Sequence, residues 1–401
     1  MLRSRSGRAA LFLSGGTIAL TGAMLAAATL PAQAATTPGW RISATTSVKG
    51  EISVLLGVDA VSAKDAWAVG FAASKSGQSV QALVRHWAGK RWSTVTLPAK
   101  IAKKWNSEDP FDASLGVSSP TNVWMFSPIT GKYLRLNGKR WSLGTVPGAN
   151  PASGSLVEIT SVRVFSSADV WAFGGIDKVS GTTESTTPYA AHFTGRRWTV
   201  AKVPGTGPIT AASATSSRSI WAVTGTVLAD GIAVNPAAGA PGVLHWTLKA
   251  GWKQPAQPVL PAGAILTSVL AEPGGKLLVG GSEKNTKEGT TPLAAKWSGK
   301  SWTVTTLPGP SSAKWALSAL APDGKGGTWA LAQASNRESG RIWHLSGHAW
   351  SIVKPNFGKH TWVLTQLAAV PHTDSVWAVG ALKQGKTGAE GLIAVAGPTP
   401  R

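Results

Sequence analysis

The chain has 401 residues, 43% of them hydrophobic, with 39 Lys and Arg against 18 Asp and Glu and no cysteine. The lack of cysteine excludes a disulfide framework, a thiolate metal site and a lipid-anchored lipoprotein, so burial must hold the fold together. A formal net charge of +21 draws the protein toward polyanions by long-range attraction, whereas the same charge spread evenly would only keep it in solution.

Residues 1–34 read as a secretory signal peptide. Arg3, Arg5 and Arg8 precede an apolar run from Ala9 to Leu30, and Ala32-Gln33-Ala34 is a small-residue cleavage site. The arginines alternate with Ser, which points to general secretion rather than the twin-arginine route. After this segment no apolar run reaches the roughly 18 residues needed to span a bilayer. The expectation is an extracellular monomer beginning near Ala35, with residues 35–401 as one domain and no membrane span.

A repeat then governs the chain. Asp65-Ala-Trp-Ala-Val-Gly70 returns as Asp169-Val-Trp-Ala-Phe-Gly174 and Ser375-Val-Trp-Ala-Val-Gly380. The full set places Trp at 67, 124, 171, 221, 329 and 377, with Leu278 standing in for one copy, so each unit occupies about 50 residues. A second phrase places Trp at 92, 141, 198, 252, 302 and 350. Every unit has a short apolar segment, a Ser/Asp/Pro turn, the Trp-Ala-Val-Gly strand, a variable polar loop, a third strand, a tight Gly-Lys-Arg turn and a Trp-x-Val strand. These are short β-type runs punctuated by Gly, Pro, Ser and Asp, and no stretch shows a sustained helical period.

Four strands per unit, repeated seven times, predict an all-β, seven-bladed β-propeller with four antiparallel strands per blade. The last unit lacks its outer strand, and Gly39-Trp40-Arg41-Ile42-Ser43 matches the missing piece. The N-terminal strand is therefore expected to close the last blade, which leaves no open sheet edge. Sixteen of the twenty tryptophans fall on scaffold positions, where large flat side chains suit sheet-on-sheet packing.

The pattern Ser-Ala-x-Asp-x-Trp-Ala-Val-Gly followed by His-Trp-x-Gly is carried by Ser62 to Trp67, Ser167 to Trp171, His86-Trp87 and His245-Trp246. It resembles secreted actinobacterial repeat proteins of the kelch-like or galactose-oxidase-like propeller type, over essentially the whole chain after the signal peptide. The resemblance implies the fold and no particular activity, because the shared residues are scaffold. The copper and thioether chemistry of galactose oxidase needs Cys and paired Tyr; here there is no Cys and only Tyr133 and Tyr189. Asp323 to Trp329 is similar to the Asp-box turn of sialidase propellers, with one residue too many.

Candidate chemistry is sparse. His86, His192, His245 and His344 fall at one equivalent position in four blades, which spreads them round a ring and argues against a shared metal. Asp65, Asp169 and Asp374 read as turn formers. No His-x-x-His pattern, nucleophile elbow or phosphate loop occurs, and neither a metal nor a cofactor is expected. The loops from second to third strand and from blade to blade vary, so binding is expected on that face. Trp315 and Trp362 hold equivalent positions in blades six and seven, near the channel mouth, where other blades have small or unrelated residues. With Lys314 and His360 beside them, and Trp105 as a weaker partner, they form a candidate site for the flat face of a sugar or an anionic glycan.

The function expected from the sequence is thus a non-catalytic binding module for extracellular or cell-wall polysaccharide or another polyanion, with no specific nucleic-acid recognition. Two alternatives stand beside it. One is a polysaccharide lyase or glycoside hydrolase drawing on Glu51, Glu108, Asp109, Asp112 and His360 at the channel mouth. The other is a protein-interaction scaffold.

Overall fold

A computed structural model of the chain describes residues 39–401, apart from 77–78, 107–113, 150–154, 181–182, 226, 230–231, 235–240, 285–288, 310–314, 335–339 and 386–387. Seven four-stranded antiparallel sheets follow one another along the chain. In blade one the strands are Glu51–Ser62, Asp65–Ser74, Val80–Trp87 and Trp92–Thr94, from the axis outward. The architecture is the seven-bladed β-propeller that the repeat predicts.

Closure occurs where the sequence places it. Blade seven takes Trp362–Ala369, Val376–Gln384 and Gly388–Ala396 from the C-terminal end and Trp40–Thr46 from the N-terminal end. Trp40 pairs with Ala396 and Thr46 with Gly391. The Arg41 guanidinium adds hydrogen bonds to the Gly397 carbonyl at 2.5 Å and to the Thr399 hydroxyl at 2.7 Å.

Packing between blades follows one rule. The outer-strand tryptophan of one blade meets the second-strand tryptophan of the preceding blade. Trp198 lies 5.8 Å from Trp124 at 90°, Trp252 lies 6.2 Å from Trp171 at 81°, and Trp92 lies 5.1 Å from Trp377 at 79°. Edge-to-face contact is the arrangement the ring quadrupoles favour. These aromatics sit in apolar clusters shared by neighbouring sheets, so each blade completes its core on the next.

The inner strands carry a second rule. A β-bulge recurs in six of them, after Leu55, Ile159, Ile209, Leu266, Leu317 and Leu364. In four blades the bulged residue is Thr, and its hydroxyl crosses to the next blade's pre-bulge carbonyl. Thr160 reaches Ile209 at 2.6 Å, Thr210 reaches Leu266 at 2.9 Å, Thr267 reaches Leu317, and Thr365 reaches Leu55 at 3.0 Å. Blade six has Ser318 at the bulge, and there the Gln333 amide reaches Leu364 at 2.8 Å instead. Ser114 donates to Ile159 at 3.2 Å, and the Val117 amide donates to Asp59 at 2.9 Å. Together these bonds cross every one of the seven blade junctions around the axis.

One element departs from the sequence reading. Ala99–Asn106 forms a helix between blades one and two. It begins directly after Pro98, whose carbonyl accepts from the Ala102 amide at 2.9 Å. Two turns are too short for a helical period to stand out.

Candidate functional site

The four repeated histidines are scaffold. His86 meets Asp65 at 2.7 Å, His192 meets Asp169 at 2.8 Å, and His344 meets Asp323 at 2.8 Å, while His245 meets the Ser219 hydroxyl at 2.9 Å. Each ring also lies over its blade's second-strand tryptophan, with centroids 3.9–4.3 Å apart. This corrects the turn-forming role expected for Asp65 and Asp169. The turns are held by serine hydroxyls, with Ser62 accepting from the Lys64 amide and Ser166 from the Ala168 amide, and the aspartates are released to fix the imidazoles. Asp323 is the exception. It accepts from the Lys325 and Gly327 amides as well as pairing with His344. Burial pushes its carboxyl pKa up, but these hydrogen bonds outweigh burial and hold it below the usual carboxylate range.

Two concave sites remain on the loop face. The first, of about 270 Å³, lies at the axis and is lined by Glu158 and Arg163 of blade three, Gln333 of blade six, and Thr365 and Gln366 of blade seven. Arg163 donates to the Val162 carbonyl at 2.9 Å and to the Ala212 carbonyl. Asp59 occupies the blade-one position that Arg163 has in blade three, each paired with its second-strand tryptophan. Burial drives the Asp59 carboxyl up to about 6, against the lowering effect of the Val117 amide, the Arg163 charge and the Ala60 amide. Both its oxygens accept backbone N–H bonds, from Ala60 and Val117, each at 2.9 Å. Among the described residues, Glu158 supplies the one carboxylate in the pocket lining.

The second site, of about 390 Å³, is a cleft off the axis between blades six and seven, lined by Trp315, Trp362, Arg341, Lys354, Pro355 and Ile352 among others. Trp315 opens the inner strand Trp315–Pro322, and Trp362 opens the equivalent strand of blade seven. The outer strand Ala349–Val353 ends at the cleft, which brings Lys354 and Pro355 to its rim. Gly340 opens the third strand of blade six. A Cβ there would stand 2.7 Å from Cζ3 of Trp362, so glycine lets the indole lie against the strand. Phe357, packed at 88° to Trp362 with centroids 5.5 Å apart, fixes the ring from behind. Arg341 holds its guanidinium carbon 5.1 Å from the Trp315 ring centroid, within cation–π range.

The structure thus brings Trp315 and Trp362 together, with corrections to the sequence expectation. They line an off-axis cleft, not the channel mouth: its lining includes Ile352 and Val353 of the outer strand and no residue of the axial pocket. Trp315 is 5% exposed and Arg341 covers its face, so Trp362, half-buried, offers the more accessible ring. Trp105 is 1% exposed; the helix aims it into the core between blades one and two, beside Trp67 and Val117. It is not a surface aromatic. His360 is exposed and lies outside the cleft lining. Lys314, like Glu108, Asp109 and Asp112, lies outside the described residues. Glu51 accepts a hydrogen bond from the Gln81 amide at 2.9 Å. Arg341 and Lys354 were not singled out from the sequence; their nearness depends on how strand ends meet across two blades. Among the described residues no group of three or more His, Asp or Glu side chains gathers to hold a metal, and no helix is long and apolar enough to cross a membrane.

No protein-family model matches the sequence, and no curated protein matches it. Solved structures do share the fold. An ulvan lyase from a polysaccharide lyase family, bound to -[GlcA(1-4)Rha3S]-, superimposes with a TM-score of 0.52 at 10% identity, covering 87% of this chain and 94% of the lyase. The same kind of lyase without the glycan gives 0.52 at 9% identity, covering 85% and 94%. A xyloglucanase from Xanthomonas campestris gives 0.46 at 14% identity, covering 86% of this chain and 59% of that enzyme. At such identities the lyase likeness establishes the propeller and nothing of its chemistry.

Proposed function

We propose that this propeller is a non-catalytic binding module for an extracellular, anionic polysaccharide, and that the cleft between blades six and seven is its site. One observation carries this reading: Trp315 and Trp362 line the same cleft as Arg341 and Lys354. An indole face takes the apolar face of a pyranose, and a guanidinium and an ammonium beside it take carboxylate or sulfate groups. Glycoside hydrolysis needs two carboxyl groups facing each other across the scissile bond. Among the described residues the axial pocket is lined by one carboxylate, Glu158, which favours binding over that chemistry. The ulvan lyase complex supports only that this fold accommodates a glycan bearing GlcA and Rha3S.

The test is retention on insoluble acidic and neutral polysaccharides at low and high salt, comparing the native protein with Trp362→Ala and Arg341→Ala. Retention on acidic material that persists in salt and drops about tenfold in either variant supports the cleft. Retention that vanishes in salt and ignores both substitutions refutes it.

A further inference from the structure

The topology divides the positive charge between the two faces of the ring, and exposed Lys49, Lys75, Lys100, Lys202, Lys253 and Lys354 belong to the loop face. In every blade the turn from first to second strand, and in blades one to six the turn from third to fourth strand, lie at the same end of the sheet. All seven blades point the same way around the ring, so these turns share one face, opposite the variable loops.

That face is basic in two concentric rings. The outer turns of blades one to three carry the exposed pairs Lys90-Arg91, Lys139-Arg140 and Arg196-Arg197. Lys249 and Lys300 continue the ring in blades four and five. The inner turns add exposed Lys64, Arg218, Lys276 and Lys325. The acids of the same face are tied up: Asp65, Asp169 and Asp323 hold histidines, and Asp374 lies 3.4 Å from Lys325. The remaining one among the described residues is Glu272, which is half-buried.

We propose that this turn face is a docking surface for an anionic phospholipid bilayer. The spread of its cations over several blades decides the partner. The connections are short: Ser62 to Asp65 in blade one, Ser166 to Asp169 in blade three, Asn137 to Arg140 in blade two. The inner turns of blades six and seven are longer, from Pro322 to Thr328 and from Ala369 to Val376. The cations are set at intervals around the ring, so a linear polymer lying along one line would reach few of them, whereas a plane of headgroups can meet cations from several blades at once. Among the described residues no tryptophan, tyrosine or phenylalanine on the face is fully exposed, and Trp141, Trp198 and Trp302 beside the outer turns are half-buried. Leu248, 71% exposed in the outer turn of blade four, is the one large apolar side chain presented there among the described residues. Adsorption is therefore electrostatic, acting within a Debye length of the surface and weakened by salt. This surface is separate from the cleft of blades six and seven and does not depend on glycan binding.

The described strands Trp40 to Ala396 close the ring by themselves, so the test uses the chain from Ala35, which removes the apolar run 9–30 as an anchor. Co-sedimentation is measured with vesicles of phosphatidylcholine alone and of phosphatidylcholine mixed with phosphatidylglycerol. Two variants carry the same charge change. One reverses the turn face (Lys90→Glu, Arg91→Glu, Arg196→Glu, Arg197→Glu), and the other reverses loop-face lysines (Lys49→Glu, Lys75→Glu, Lys100→Glu, Lys103→Glu). The expected result is binding to the mixed vesicles only, reduced by at least about tenfold in the turn-face variant and little changed in the other. Equal losses in both variants would assign binding to net charge alone and overturn the proposal. Failure to bind the mixed vesicles, with retention on acidic polysaccharide intact, would also overturn it.

A second measurement avoids multiple substitutions. The chain has no cysteine, so a single fluorophore can be placed at Lys139→Cys or at Lys75→Cys. Vesicles should shield the first from a soluble quencher and leave the second accessible; the reverse, or no difference, contradicts the assigned face.

Discussion

The indole of Trp40 meets that of Trp329 with ring centroids 5.3 Å apart and planes at 75°. Trp40 belongs to the N-terminal strand and Trp329 to the second strand of blade six, so the contact seals the junction before the closing blade. Trp92 on Trp377 seals the junction after it. Trp40 is fully buried. Trp40→Ala should cost about 3–5 kcal/mol, the usual range for emptying a buried aromatic site. Urea unfolding followed by tryptophan fluorescence would measure it, and a cost under about 1 kcal/mol would mean that the N-terminal strand is not needed for closure.

The bulge threonines make a sharper prediction. Thr365 donates to Leu55 of the next blade and shares Val379 of its own, both at 3.0 Å. Thr365→Val keeps the volume and removes the hydroxyl. It should lower stability by about 1 kcal/mol, and up to about 3 if the Leu55 carbonyl is left unpaired. Ser318, whose hydroxyl has no partner at the same position, provides the control: Ser318→Ala should be close to neutral in the same denaturation assay.

Asp59 and Asp323 set opposite pH dependences. Asp59 has its folded value raised to about 6 from 3.8, so the folded state holds the proton more tightly and stability is lost as pH rises through that window. Melting temperatures of Asp59→Asn and native protein should therefore shift in favour of the variant between pH 4 and pH 7. Asp323 is depressed. Its contribution is present above the unfolded value of 3.8 and lost as pH falls through the lower folded value. Asp323→Asn should be less stable than native at pH 7, with the gap closing under strong acid.

Gly340→Ala tests the cleft without touching its charges. The new Cβ would stand 2.7 Å from the Trp362 ring. The ring must move, at a cost of about 1–3 kcal/mol. Retention on acidic polysaccharide should fall with it, while binding to anionic vesicles stays at the native level. A variant that keeps its polysaccharide retention would remove Trp362 from the site.

Much of this fold was legible because it is written in large residues at a fixed period. The tryptophans at 67, 171 and 377 and the unpaired first phrase of the last unit led to seven blades and to the strand at Trp40. The bulges were not read, although Ile159-Thr160, Ile209-Thr210, Leu266-Thr267 and Leu364-Thr365 align once the units are stacked. A small polar residue after an apolar one carries little signal until its backbone conformation is known. The partnership of Asp65 with His86 was also missed, since an aspartate before a strand reads equally well as a turn former. The cleft was half legible. Trp315 and Trp362 stood out by exception from the repeat, but Arg341 and Lys354 come from other strands, and only the packing of blade six on blade seven brings them near.

The closure of blade seven by Trp40–Thr46 also fixes the order in which the molecule can be completed. A ribosome delivers this strand before any blade and its partner, Gly388–Ala396, after all the others. Until then the growing chain is an open arc with an unpaired strand at its leading end and a bare edge at its trailing one. Closing the ring thus requires joining two segments at opposite ends of the message, a contact of very long sequence separation of the kind that folds slowly. A truncated product lacking only its last thirty residues would lose the ring rather than one blade.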